Sequence, residues 1–142
     1  MNIVEKEFVS FEVALEMKKL NFDEPCLAAY RIEFTKGVAS GFLLLGKDPS
    51  HLTEQKRANY ILGYGTILAP TIHQAFKWFR AQCGLFVQPN RTILGGGIWY
   101  YFSISSRRTD VCEGSFSYEE AEAKCLEKLI EILSDNYLDY CI

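Results

Sequence analysis

Three residue types that can bind a metal or transfer a proton occur together in one polar segment of the chain. Asp48, His51 and Glu54 are spaced by three, so on a helix their side chains would converge on one face. Such a cluster could hold a divalent metal, or serve as the acid–base site of a small hydrolase or transferase. The alternative is a capped surface segment, because Asp48 and Pro49 also suit the N-cap and first residue of a short helix. No H-E-x-x-H spacing accompanies the cluster, which favours the surface segment.

The chain carries none of the common catalytic signatures. It has no G-x-S-x-G, Walker A or G-x-G-x-x-G motif, and only two histidines. Gly95, Gly96 and Gly97 could suggest a phosphate loop, but such a loop needs a helix directly after the glycines. A strongly β-forming segment follows instead, which predicts a turn or bulge that leads into a strand. No catalytic residue, metal ligand or cofactor is predicted, and a non-enzymatic role is favoured.

One predicted helix, LAPTIHQAFKWFRAQCGL, offers a candidate contact surface. At 100° per residue, His73, Lys77 and Arg80 fall on one flank of this helix and Trp78 falls on the other. A basic stripe with a nearby aromatic side chain could contact phosphate or an acidic partner. The structural alternative is a solvated helix face, with Trp78 at the edge of the core.

A second candidate surface lies on the strand predicted from GGGIWYYFSIS. Alternation places Trp99 and Tyr101 on the side opposite to the predicted core-facing residues, which are Ile98, Tyr100, Phe102 and Ile104. Aromatic side chains on an open sheet face can stack against bases or other flat ligands. The alternative is a sheet covered on both faces, with Trp99 and Tyr101 in a second core layer.

The elements that must position these residues are three helices with strands between them. Ser10 suits the N-cap of the first helix, and Ser117 with Glu120 has the spacing of a capping box at the start of the third. Asn21 and Gly84 suit left-handed helix ends. Strands are predicted in YRIEFT, SGFLLLG, YILGYGTIL, LFVQ and GGGIWYYFSIS. Because most connections are too short for crossover helices, we expect an α+β fold: a largely antiparallel sheet of about four to six strands packed with three helices.

Composition limits the classes of protein to which the chain can belong. Its 142 residues fit a single globular domain, residues 1–142. A net charge of −3 predicts no bulk attraction to nucleic acid, although a local basic patch stays possible. No secretory signal or apolar run long enough to cross a membrane is present, which predicts a cytoplasmic protein without membrane contact. The five cysteines show no C-x-x-C spacing and are expected to be reduced, and Cys83 and Cys125 lie on apolar helix faces.

Three blocks of the sequence resemble a small uncharacterised family of proteins from bacteriophages, prophages and mobile elements of gut bacteria. The blocks are FVSFEVALEMKKLNFDEPC, LAPTIHQAFKWFR and SYEEAEAKCLEKLIEI, which together cover a third of the chain. The resemblance implies a phage- or mobile-element-type accessory protein expressed in a bacterial host cell, and the family has no established activity. The family pattern more often has glutamine at the position of His73, which weakens a catalytic role for that histidine. Trp78, Phe79 and Arg80 are the part of the motif that matches.

Three functions are compatible with the sequence. The favoured one is a non-enzymatic binding or interaction module with an unknown protein or nucleic-acid partner, because aromatics are abundant and catalytic signatures are absent. The second is a nucleic-acid-associated protein that uses Lys77, Arg80 and the side of the strand with Trp99 and Tyr101. The third is the hydrolase or transferase described above. A homo-oligomer is also possible, because exposed aromatics of a small domain are often covered at a symmetric interface.

Overall fold

The computed structural model describes residues 5–35, 38–45, 66–107 and 109–140. The chain divides into two compact units, Met1–Ala75 and Phe76–Ile142. The boundary between them falls inside a helix. That the whole chain acts as one domain stays a prediction.

The described residues of the first unit include a helix and a three-stranded sheet. A short 3₁₀ turn at Glu5–Glu7 precedes helix α1, Phe11–Lys19, and strands β1, Ala28–Thr35, β2, Val38–Leu45, and β3, Thr66–Ala69. The strand order is β2-β1-β3, and both pairs are antiparallel. Helix α1 packs beside β3.

Helix α1 begins and ends at the predicted residues. The Ser10 hydroxyl accepts a hydrogen bond from the Val13 amide at 3.2 Å, which satisfies one of the amides that a helix start leaves unpaired. Asn21 follows the helix with φ of 68°, the left-handed conformation that ends many helices. Val13 and Met17 are buried, as the spacing of four predicts.

An aromatic contact lies at the centre of the first unit. The Tyr30 hydroxyl donates to the Val9 carbonyl at 2.6 Å, and this bond is buried. The ring of Phe11 meets that of Tyr30 edge-on, with centroids 5.6 Å apart. Phe11 also lies directly over Gly41, where a side chain would collide with its ring. Gly41 is therefore required by the close approach of α1 to β2.

The second unit contains the other sheet and the longest helix. Helix α2, Ile72–Cys83, crosses the boundary between the units, and strands β4, Phe86–Leu94, β5, Gly97–Ser105, and β6, Asp110–Ser115, follow it before helix α3, Tyr118–Tyr140. The strand order is β4-β5-β6, again antiparallel throughout. The prediction that Gly84 ends α2 is confirmed, since its φ is 66°.

Strands β4 and β5 form a hairpin whose strands are longer than the neighbouring strand β6. Gly95 and Gly96 form the turn with φ of 60° and 84°, which confirms the predicted turn and excludes a phosphate loop at this point. Strand β6 pairs with β5 only as far as Tyr100, so among the described strands β4 alone pairs with residues 97–99 of β5. Pro89 lies opposite Phe102 in β4, which is one of the two outer strands of this sheet.

Helix α3 forms one of the two hydrogen bonds of the predicted capping box, because the Ser117 amide donates to the Ser115 hydroxyl at 3.3 Å and not to the Glu120 side chain. The Ser117 hydroxyl accepts from the Glu120 amide at 3.3 Å, and Glu120 pairs with Lys124 at 3.9 Å across one helical turn. The buried side of α3 is apolar and contains Ala121, Cys125, Leu126, Leu129 and Leu133. This face packs against β5 and β6.

The predicted α+β class, the antiparallel pairing and the three helices are confirmed within the described residues. The six strands form two sheets of three. The described helices include none with the length and apolar character needed to span a bilayer.

Candidate functional site

The two faces of the second sheet differ in what covers them. On one face, which we call the helix face, the ring of Phe76 from α2 lies 6.0 Å from that of Phe102, and Tyr118 of α3 lies 5.5 Å from the same ring. The register places the alternate side chains on the opposite side, which we call the open face. Its members are Phe86, Gln88, Asn90, Thr92, Leu94, Trp99, Tyr101, Ser103, Ser105, Asp110 and Cys112. None of these side chains is buried, so Trp99 and Tyr101 do not belong to a second core layer.

The indole of Trp99 lies close against β6 because Gly114, its neighbour in that strand, has no side chain. A Cβ atom at Gly114 would lie 2.6 Å from Nε1, 2.7 Å from Cε2 and 2.8 Å from Cζ2 of the indole. One side of the indole therefore rests on the backbone of β6, in the space that any other residue would fill. The ring of Phe116 meets it edge-on with centroids 4.9 Å apart. The half-buried Trp99 and the exposed Phe116 form an aromatic pair at the hairpin end of the face.

The rest of the open face is polar and almost without charge. Asn90 lies opposite Tyr101, and its amide donates to the Gln88 carbonyl at 3.3 Å. Ser103 and Cys112 face each other across β5 and β6, with Oγ and Sγ 3.6 Å apart. Asp110 is the one charged residue that the three strands place on this side. The side chains that β4, β5 and β6 place on this face thus include aromatic rings, amides and hydroxyls, and none of them is a cation that could bind a phosphate group.

The helix face of the hairpin end is exposed, contrary to the sequence prediction. Phe102 and Ile104 are buried as expected, but Ile98 is 45% exposed, Tyr100 is half-buried and Ile93, opposite Ile98, is 80% exposed. Alternation along β5 correctly predicts which side chains share a side of the sheet. It does not predict which of them are buried by the helices. The hairpin continues past the end of β6, and no residue from 86 to 101 is buried.

Acidic residues border this exposed end on the side of α3. The ring of Tyr118 lies 5.8 Å from that of Tyr100, and Tyr118 is 42% exposed. Burial of part of its ring, together with the nearby charges of Glu122 and Glu119, raises the pKa of the Tyr118 phenol. On the opposite side, Arg91 of β4 is exposed and lies opposite Tyr100.

The candidate residues of helix α2 do not act as one group. His73, Lys77 and Arg80 are exposed, whereas Trp78 is only 5% exposed. The Trp78 ring packs edge-on against Phe79 with centroids 5.1 Å apart. Trp78 is therefore an interior residue and is not available at the surface, as the structural alternative anticipates.

The structure does not bring the two candidate surfaces together. Phe76 places helix α2 on the helix face, while Trp99 and Tyr101 lie on the open face of the same sheet. Lys77 and Arg80 therefore do not share a surface with the two aromatic residues. A strand of nucleic acid lying on the open face would meet the aromatics without these cations.

The described cysteines separate into one exposed thiol and three buried ones. Cys112 is exposed on the open face, and Cys83 is buried as predicted. Burial raises the pKa of the Cys26 and Cys125 thiols to about 12, with smaller contributions from nearby glutamates. These two thiols are therefore neutral and unreactive at physiological pH.

The predicted acid–base cluster of Asp48, His51 and Glu54 lies outside the described residues. In the part of the chain that the structure describes, no three His, Cys, Asp or Glu side chains are grouped so that they could hold a metal ion. Comparison with protein-family models, curated proteins and solved structures finds no match.

Proposed function

We propose that the protein is a non-enzymatic binding module whose contact surface is the open face of the second sheet, and that its partner is another protein. The observation that supports this most directly is the composition of a face on which no side chain is buried. We further propose, from the resemblance of the three sequence blocks alone, that it is an accessory protein of a phage or mobile element.

The open face has the composition of a protein contact surface. Tyrosine and tryptophan are enriched at the centres of interfaces, where they provide large contact areas at a low cost in conformational entropy. Trp99 and Tyr101 lie two residues apart on the central strand, and Gln88 and Asn90 flank them on β4. Amides and hydroxyls beside aromatic rings can satisfy the backbone and side-chain polar groups of a partner.

The charge of the open face argues against a nucleic-acid partner. Affinity for nucleic acid depends on lysine and arginine side chains that neutralise phosphates, and the strands place only Asp110 as a charged residue on this side. Exposed Lys77 and Arg80 are the observation that keeps nucleic-acid binding as a second candidate, through helix α2 alone. The hydrolase or transferase alternative depends on Asp48, His51 and Glu54 and gains no support from the described residues.

The test is a comparison of two glutamine variants in the native host. Gln88 lies on the open face and Gln82 on α2, and both are exposed. The tagged wild type, Gln88→Arg and Gln82→Arg are recovered from host cells, and co-purifying proteins are quantified by mass spectrometry. We expect Gln88→Arg to lose a partner by at least about tenfold, equivalent to roughly 1.4 kcal/mol, while Gln82→Arg retains it.

Two results would contradict the proposal. Equal recovery of every partner by both variants would show that the open face is not the contact surface. Loss of the bound material on nuclease treatment would favour the nucleic-acid alternative, and steep salt dependence of binding would support the same conclusion.

A further inference from the structure

The exposed helix face at the hairpin end forms an apolar patch that the proposed function does not use. The patch consists of Ile93, Ile98, Tyr100 and Tyr118. Ile93 lies directly opposite Ile98, and the rings of Tyr100 and Tyr118 are in contact. Ile93, at 80% exposed, is unusual for an isoleucine at the end of a regular strand. Adjacent apolar side chains left in water mark a surface that another molecule covers.

The charges at the two sides of the patch are opposite in sign. Arg91 lies on the β4 side, opposite Tyr100 in the register. Glu119 lies on the α3 side, next to Tyr118 in the first turn of the helix. The patch therefore has a positive border along the outer strand and a negative border at the helix start.

We infer that this patch is the interface of a twofold-symmetric homodimer of the chain. A twofold axis through the patch exchanges its two sides, so the β4 border of one copy meets the α3 border of the other. Arg91 of each copy then faces Glu119 of its partner, and the four apolar side chains of each copy cover those of the other. A surface with a single sign of charge at its borders would instead repel a second copy.

The size of the patch fits a dimer of moderate stability. For residues of this size, the exposed fractions of Ile93, Ile98 and Tyr118 amount to roughly 350 Å² per copy. The half-buried Tyr100 brings the patch to roughly 400 Å², most of it apolar. Homodimer interfaces are about 65% apolar, so the whole interface would bury about 600 Å² per copy, or about 1,200 Å² in total. That total is at the lower end for specific interfaces, and area alone does not set the affinity.

The charged borders allow a test that only a twofold arrangement passes. Arg91→Glu should place two glutamates opposite each other in a homodimer, and Glu119→Arg should place two arginines opposite each other. Each variant alone should dissociate at least about tenfold more readily than the wild type in analytical ultracentrifugation. When the two are mixed, both contacts again join opposite charges, so native mass spectrometry should show a heterodimer.

The matched control is Arg107→Glu, because Arg107 is an exposed arginine in the turn between β5 and β6, away from the hairpin end. This variant should dimerise like the wild type, and circular dichroism should show the same fold for all variants. A wild type that is monomeric up to about 1 mM overturns the inference, because even a weak dimer would associate at that concentration. Two monomeric variants that give no heterodimer on mixing also overturn it.

The homodimer and the proposed function can fail separately. Loss of a host partner on Gln88→Arg with an unchanged dimer would separate the open face from the patch. If the wild type is monomeric and Arg91→Glu loses a host protein, the patch binds that protein and the homodimer inference is wrong.

Discussion

Replacing Gly114 with alanine would put a methyl group where the indole of Trp99 now lies. Three indole atoms are within 2.8 Å of the position that the new Cβ atom would take. Carbon atoms that are not bonded do not approach below about 3.5 Å without repulsion. The indole must therefore move away from β6, and its contact with Phe116 must change with it. The backbone of Gly114 has no positive φ, so the substitution adds no backbone strain of its own.

The two opposing effects of this substitution can be weighed. Insertion of a methyl group into a filled space, with displacement of the side chain that fills it, costs roughly 1–3 kcal/mol. Alanine restricts the unfolded chain more than glycine does, which returns about 0.4–1 kcal/mol. We therefore expect Gly114→Ala to lower the free energy of unfolding by about 1–2 kcal/mol. In a Trp99→Ala background the clash is absent, and Gly114→Ala should then raise the free energy of unfolding by about 0.5 kcal/mol.

Urea unfolding of the wild type, the two single variants and the double variant measures this change of sign. Circular dichroism should follow the transition, because the double variant retains only one of the two tryptophans. The coupling free energy between the two positions should be about 1.5–2.5 kcal/mol, well above the deviation of independent sites. If Gly114→Ala changes the stability equally in both backgrounds, to within about 0.5 kcal/mol, the contact between Trp99 and Gly114 does not explain the glycine.

Three further predictions concern the core. Tyr30→Phe removes the buried 2.6 Å bond to the Val9 carbonyl and should cost about 1–2 kcal/mol in denaturant unfolding; an unchanged midpoint would mean that water replaces the hydroxyl. Iodoacetamide at neutral pH should modify Cys112 in the native protein but neither Cys26 nor Cys125, as peptide mass spectrometry can show; equal labelling of all three would contradict the burial. The free energy of unfolding should fall as pH rises from about 9 to about 12, because the unfolded Cys26 and Cys125 thiols lose protons that the folded thiols keep. In Cys125→Ala this fall should be shallower than in the wild type, because one of the two thiols is missing.

Local signals in the sequence predict helix ends and turns well, because these are determined within a few residues. Strand β6, Asp110–Ser115, lies in a segment for which no strand is predicted, and β4 extends well beyond the predicted LFVQ. Ser10 and Ser117 cap their helices, Asn21 and Gly84 end them, and Gly95 forms the hairpin turn, all from short-range hydrogen bonds and backbone preferences. The division of six strands into two sheets depends on pairing between distant segments. The alternation of apolar and polar residues predicts a strand and its faces, but not which strand it pairs with.

The sequence predicts which residues of the candidate site share a side of the sheet, but not which of them are covered. Alternation along β5 identifies Trp99 and Tyr101 as sharing one side of the sheet, which the register shows. Alternation does not indicate that β6 stops at Tyr100 and leaves Ile98 exposed, because cover depends on the lengths of neighbouring elements. Trp78 lies between the two faces of an amphipathic helix, and its burial depends on packing that the helical period alone does not determine.

Pro89 limits strand pairing at the β4 edge of the second sheet. An outer strand with free backbone groups invites another strand to pair with it, and each added copy offers a new free edge, so such growth ends in fibres. Pro89 has no N–H to donate, and it interrupts the outer edge of β4 between Val87 and Arg91. Association through a side-chain surface with twofold symmetry ends at two copies. One residue without a hydrogen-bond donor thus makes the β4 edge a poor template for the strand-by-strand addition of further copies.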